Sequence, residues 1–206
     1  MKKLLYVSIT CSILSMMTPL QAAYMFKNGK FIDMKDVAYL PIEDHYNLGI
    51  EAVKAKDWDE AIKQFRIITV SFEDAELTNE AYYFLGASYF EIGDLDLANQ
   101  KLSHYLSTGK NSKYFLQAFK YKLAIAERFQ NGEMARLFRS ENLPKWRPAK
   151  DDALAIYDEI IHTLTNHELA AKALFYKGEL LSLDNEFKEA IDAYQTIIKK
   201  FPRSDM

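Results

Sequence analysis

The chain has 206 residues, with 26 Lys and Arg against 29 Asp and Glu, a net charge of −3 and a single cysteine. That length suits one large domain or a short repeat array. The acidic balance argues against nucleic-acid binding, which rests on clustered Lys and Arg, and one thiol excludes a disulfide framework.

Residues 1–22 carry Lys2 and Lys3, an apolar run from Leu4 to Leu20 broken by Ser and Thr, and a small-residue exit at Leu20-Gln21-Ala22. This is the order of a cleaved secretory signal peptide; a membrane span needs roughly 20 strongly apolar residues. Loss of the two lysines takes the net charge from −3 to −5. Cys11 falls inside the signal, with Ser8 and Thr10 where a lipobox carries Leu and a small residue, so lipidation at Cys11 is disfavoured. Residues 23–41 read as an extended leader. Within it, Asn28-Gly29 between Phe26-Lys27 and Lys30-Phe31 signals a hairpin, because both turn positions accept positive φ.

From residue 42 onward the chain repeats. Leu48-Gly49, Leu85-Gly86, Lys122-Leu123 and Lys177-Gly178 align, and so do Ala61, Ala98, Ala153 and Ala190. The two markers stand 12 residues apart in the first, second and fourth units and 30 apart in the third, which places an 18-residue insertion within Ile125–Asp152. The units are 42–78, 79–115, 116–170 and 171–206. Each reads as two helices joined by a tight turn, since apolar and small residues recur at helical spacing on both sides of a polar break. The Gly and Ala markers are small because the two helices of a unit cross there. Asp57 and Asp94 are the expected N-caps of second helices, and Pro202 ends the last one.

A small residue and Gly in the first helix, Ala early in the second, a large aromatic four residues later and a terminal Pro resemble the tetratricopeptide-repeat pattern, best in 173–204. The resemblance implies an all-α, right-handed solenoid of about four helix pairs whose first helices line a concave groove. The positions that would face it are Tyr46, Tyr83, Lys120 and Phe175 on one row, Ile50, Ala87, Ala124 and Glu179 on the next, and Val53 and Phe90 a turn further. This row is expected to grip a peptide; the competing expectation is that its aromatics pack against neighbouring helices.

Signal, four units and a long insertion in the third resemble the BamD family of the outer-membrane barrel assembly machinery, as does the stretch Trp146-Arg147-Pro148-Ala149-Lys150-Asp151-Asp152-Ala153. That resemblance implies a periplasmic scaffold at the inner face of the outer membrane, with peripheral membrane association. Its implied partners are a barrel assembly protein or unfolded outer-membrane protein segments. BamD proteins are lipoproteins and carry a further unit, so a fragment or a covered last helix is expected here. The alternative is a periplasmic repeat scaffold coordinating cell-wall synthesis or envelope constriction, whose repeats also end like Phe201-Pro202-Arg203-Ser204.

The insertion concentrates Arg136, Arg139, Lys145, Arg147 and Lys150 around Phe138 and Trp146. Phe138, Trp146 and Arg147 are candidate contacts for an acidic partner; equally, Phe138 and Trp146 would pin the loop to its own repeat. No catalytic chemistry, metal or cofactor is expected. His45, His104, His162 and His167 share no metal-ligand spacing, and His167-Glu168-Leu169-Ala170-Ala171 lacks the second histidine of a zinc-protease motif.

Overall fold

The computed structural model describes residues 24–27, 30–73, 76–109, 112–137 and 143–202. The expected signal peptide with Cys11, the expected turn residues Asn28 and Gly29, and Phe138 and Arg139 lie outside these residues. The chain divides into two compact units, 1–37 and 38–206. In the first, β1 (Tyr24–Lys27) pairs antiparallel with β2 (Lys30–Asp33), placing Phe26 opposite Phe31 with ring centroids 5.1 Å apart. A 3-10 turn, Met34–Asp36, follows and is capped by the Asp33 carboxylate.

The second unit is a solenoid of four helix pairs. These are α1 (Ile42–Ala55) with α2 (Trp58–Ser71), α3 (Glu76–Glu91) with α4 (Leu95–Ser107), α5 (Phe115–Gln130) with α6 (Lys150–Thr163), and α7 (Glu168–Leu183) with α8 (Phe187–Lys200). Within each pair the helices cross at the markers, and the geometry explains their size. A Cβ on Gly49, Gly86 or Gly178 would lie 2.7 Å from Phe65, Leu102 or Tyr194 respectively, each sixteen residues on. No carbon fits at that distance. Gly49→Ala is therefore expected to cost about 1–2 kcal/mol through overpacking, read as a lower midpoint in denaturant with an unchanged slope.

Stacking of one unit on the next uses the residue just before each glycine marker. Leu85 is fully buried, while Leu48, at the same place in the first pair, is 39% exposed. At the same position the third and fourth units place lysines. Lys122 bonds Asn99 Oδ1 (2.7 Å), Ser103 Oγ (2.6 Å) and Glu159 (2.8 Å), and Lys177 meets Asp158 at 2.5 Å. At the other end of the array, Phe187, Ile191 and Ile198 are exposed on α8.

Two expectations need correcting. Asp57 caps α2 as expected, accepting the Glu60 N–H at 3.2 Å, but Asp94 makes no cap bond to α4. Its carboxylate instead receives two N–H groups of Arg136, because a planar guanidinium matches both oxygens at once. The insertion, in turn, is not simply a loop between helices. It contains β3 (Met134–Arg136) and β4 (Lys145–Pro148), an antiparallel hairpin with an irregularity between Ala135 and Arg136.

Candidate protein-binding groove

The first helices α1, α3, α5 and α7 lie side by side, so their outward residues form one continuous face. Ring contacts cross from unit to unit along it. Tyr46 meets Phe84 at 6.1 Å, and Phe90 meets Tyr121 at 5.2 Å. Tyr46 also donates to Glu80 at 2.5 Å, and Lys113 reaches the same carboxylate at 3.2 Å. Burial, followed by the Glu80 bond, pushes the Tyr46 hydroxyl far above the ordinary tyrosine range, so it remains a donor at any physiological pH.

The residues expected on this face fall into three groups. Ile50, Val53, Ala87 and Phe90 are half-buried and form an apolar lane, with Tyr46 at its start. Lys120 is exposed, and Phe175 and Glu179 are half-buried on the same face further along. Tyr83 stands apart, being only 8% exposed with its ring stacked 4.4 Å from Tyr114. The connection after α4 folds Tyr114 over it, and the Tyr114 N–H donates to Tyr105 Oη at 2.7 Å. Tyr83 thus belongs to the packed interior of the second and third units. Nothing in the repeat pattern marks Tyr114 for that place, since it lies in an irregular connection.

At one edge, Arg128 sits 5.3 Å over the Phe90 ring and binds Glu133 through two nitrogens. This cation is already committed, and so are those of the insertion among the described residues. Arg136 grips Asp94, and its backbone N–H donates to Asp96 at 2.7 Å. Lys145 donates to the Gly93 carbonyl at 2.5 Å, Arg147 pairs with Asp152 at 2.6 Å, and Lys150 pairs with Asp184. Trp146, by contrast, is 72% exposed and pins nothing. Because β4 alternates, Lys145 and Arg147 turn inward while Trp146 and Pro148 turn outward, beside exposed Met134 opposite Pro148. The hairpin is held by its charges, not by its aromatic residue.

The helix-pair geometry has counterparts among known proteins. Tetratricopeptide-repeat profiles match residues 46–109 and 172–204. Those stretches carry tetratricopeptide repeats. Two crystal structures of MamA superpose with a TM-score of 0.50 at 16% identity, covering 77% of this chain and 77% or 72% of theirs. At that identity they speak for the fold alone. "Outer membrane protein assembly factor BamD" of Rickettsia prowazekii (strain Madrid E) is 29% identical over 185 residues, 80% of this chain and 69% of that protein.

Two of the histidines take structural places in these repeats. Nδ1 of His167 accepts the Leu169 N–H at 3.1 Å and caps α7. His45 is fully buried; Nε2 accepts the N–H groups of Tyr39 and Leu40, which leaves Nδ1 to donate to Gln64 Oε1 at 2.6 Å. Among the described residues no three His, Cys, Asp or Glu side chains are grouped to hold a metal ion, and no helix is long and apolar enough to cross a membrane.

Proposed function

We propose that this repeat protein is an exported scaffold for outer-membrane protein assembly, working at the inner face of the outer membrane by holding a segment of a partner polypeptide. The observation that carries the reading is the apolar lane of Ile50, Val53, Ala87 and Phe90 across two units, where the charges that border it, Glu80 at Tyr46 and Arg128 over Phe90, are already held by Lys113 and Glu133. Apolar and aromatic side chains that desolvate fully on binding act as anchors worth about 2 kcal/mol or more each. The similarity to an assembly factor and the signal-like segment 1–22 supply the setting. Barrel assembly proteins and unfolded outer-membrane segments are the partners this reading assigns.

The test is a photo-crosslinking side chain at Val53 in intact envelopes, with the captured protein identified. An outer-membrane barrel protein supports the reading, and a cell-wall synthase moves the chain to envelope constriction. Ala87→Arg fills the lane without removing core atoms, so it is expected to abolish the crosslink and leave thermal melting unchanged. Capture that survives Ala87→Arg removes the groove from the mechanism.

A further inference from the structure

The groove changes character along its length. Over the first two units its lining is Tyr46, Ile50, Val53, Ala87 and Phe90, with the Glu80 carboxylate at Tyr46 held by Lys113; from the end of α3 onward further carboxylates lie along it. Glu91 closes α3, Glu127 lies on α5 and Glu179 on α7. The Glu91 carboxylate acts on the Tyr121 hydroxyl, and those of Glu127 and Glu179 both act on Tyr157 and Tyr176, so Glu127 and Glu179, on neighbouring first helices, lie about the same two rings. None of them makes an ion pair or side-chain hydrogen bond among the described residues.

The cations of the same face are differently placed. Arg128 is held by Glu133, and Lys172 by Glu168 at 2.7 Å. Lys120 is exposed on α5, and Lys54 is exposed at the far end on α1. Glu127 is half-buried, and its burial pushes the carboxyl above the ordinary glutamate range while Lys172 pulls the other way. A carboxylate that is partly desolvated and bonded to no cation gains most from a cation brought to it.

We infer that the occupant of the groove is a polypeptide segment whose aromatic or aliphatic residues lie over Ile50, Val53, Ala87 and Phe90 and whose Lys or Arg side chains follow, over Glu127 and Glu179. This inference rests on the groove reading proposed above and adds to it a charge and a direction. An acidic segment is rejected, because it would set like charges against two half-buried carboxylates.

Two synthetic peptides of equal length test it, one with a Tyr/Leu half followed by a Lys-containing half, the other with Glu in place of every Lys. Fluorescence anisotropy with the full chain is expected to give about tenfold tighter binding of the Lys peptide at low salt. Glu127→Gln with Glu179→Gln is expected to erase that preference and leave melting unchanged. Asp59→Asn with Glu189→Gln, on the exposed faces of α2 and α8, makes the same change in net charge and is expected to preserve it. Equal binding of the two peptides, still blocked by Ala87→Arg, overturns the charge assignment and leaves the groove standing. If neither peptide binds, both fall. A control pair that loses the preference as fully as the Gln pair reduces it to bulk charge and overturns the site.

Discussion

Lys122→Ala is expected to lower folding stability by about 3 kcal/mol, and Lys122→Met to leave it unchanged or raise it. The lysine is fully buried, and its ammonium is satisfied by Asn99, Ser103 and Glu159. Alanine removes the stem as well as the charge, leaving a cavity between repeats and unpaired polar groups. Methionine refills the volume, as Leu85 does at the same position one unit earlier, and no ammonium then needs desolvating. Glu159 is 37% exposed and can return to water, which holds the loss below that of a fully enclosed pair. Burial pushes the Lys122 ammonium below the ordinary lysine range, against the pull of Glu159. At this site the unfolded chain therefore binds more protons between that lowered value and about 10.5, and the lysine's contribution to stability rises with pH across this window. Relative to Lys122→Met the wild type should gain as pH increases from about 7 to 10, a comparison in which the buried tyrosines cancel. Denaturant titrations of both proteins at several pH values check the sign.

Lys122 also shows where sequence reading reaches its limit. The spacing of Gly49, Gly86 and Gly178 from Ala61, Ala98 and Ala190 located three of the four helix pairs, because a crossing point demands small residues at fixed separation, and Leu123 and Ala153 in the same register marked the interrupted third. It located Lys122 too, as the partner of Leu85 in register, but gave no reason for a charge there. The reason is tertiary: Asn99 and Ser103 lie on the preceding second helix, one turn apart, and face the ammonium. Tyr83 is a similar case, since its burial comes from Tyr114 in an irregular connection. Charge density in the insertion was plain from Arg136, Lys145, Arg147 and Lys150, yet it suggested an acidic partner. Those groups instead find Asp94, Asp152 and Asp184 within the chain, while Trp146 is left in solvent. Ion pairs between distant segments leave no periodic signal, whereas helix crossings do.

Asp94→Ala is expected to cost about 2–3 kcal/mol and to free the β3–β4 hairpin from the second repeat. The Asp94 side chain is 9% exposed and that of Arg136 is 19% exposed, so the pair is mostly shielded, and loss of the carboxylate strands a guanidinium that water only partly reaches. Lys145 loses a second, more distant contact at 3.9 Å. The Asp96 carboxylate still accepts the Arg136 N–H, and the Gly93 carbonyl still accepts from Lys145, which keeps the loss below that of a fully severed strap. Amide exchange should therefore quicken in β3 and β4 while the cores of α1 and α2 keep their protection. Arg136→Met tests the coupling. If the charge pair is what ties the third unit to the second, Asp94→Ala in that background costs much less than in the wild type, and the cycle yields a clear interaction energy. Additive losses would mean that the hairpin is held by the backbone bond to Asp96 and by Ala135, buried beneath it, with the salt bridge a bystander.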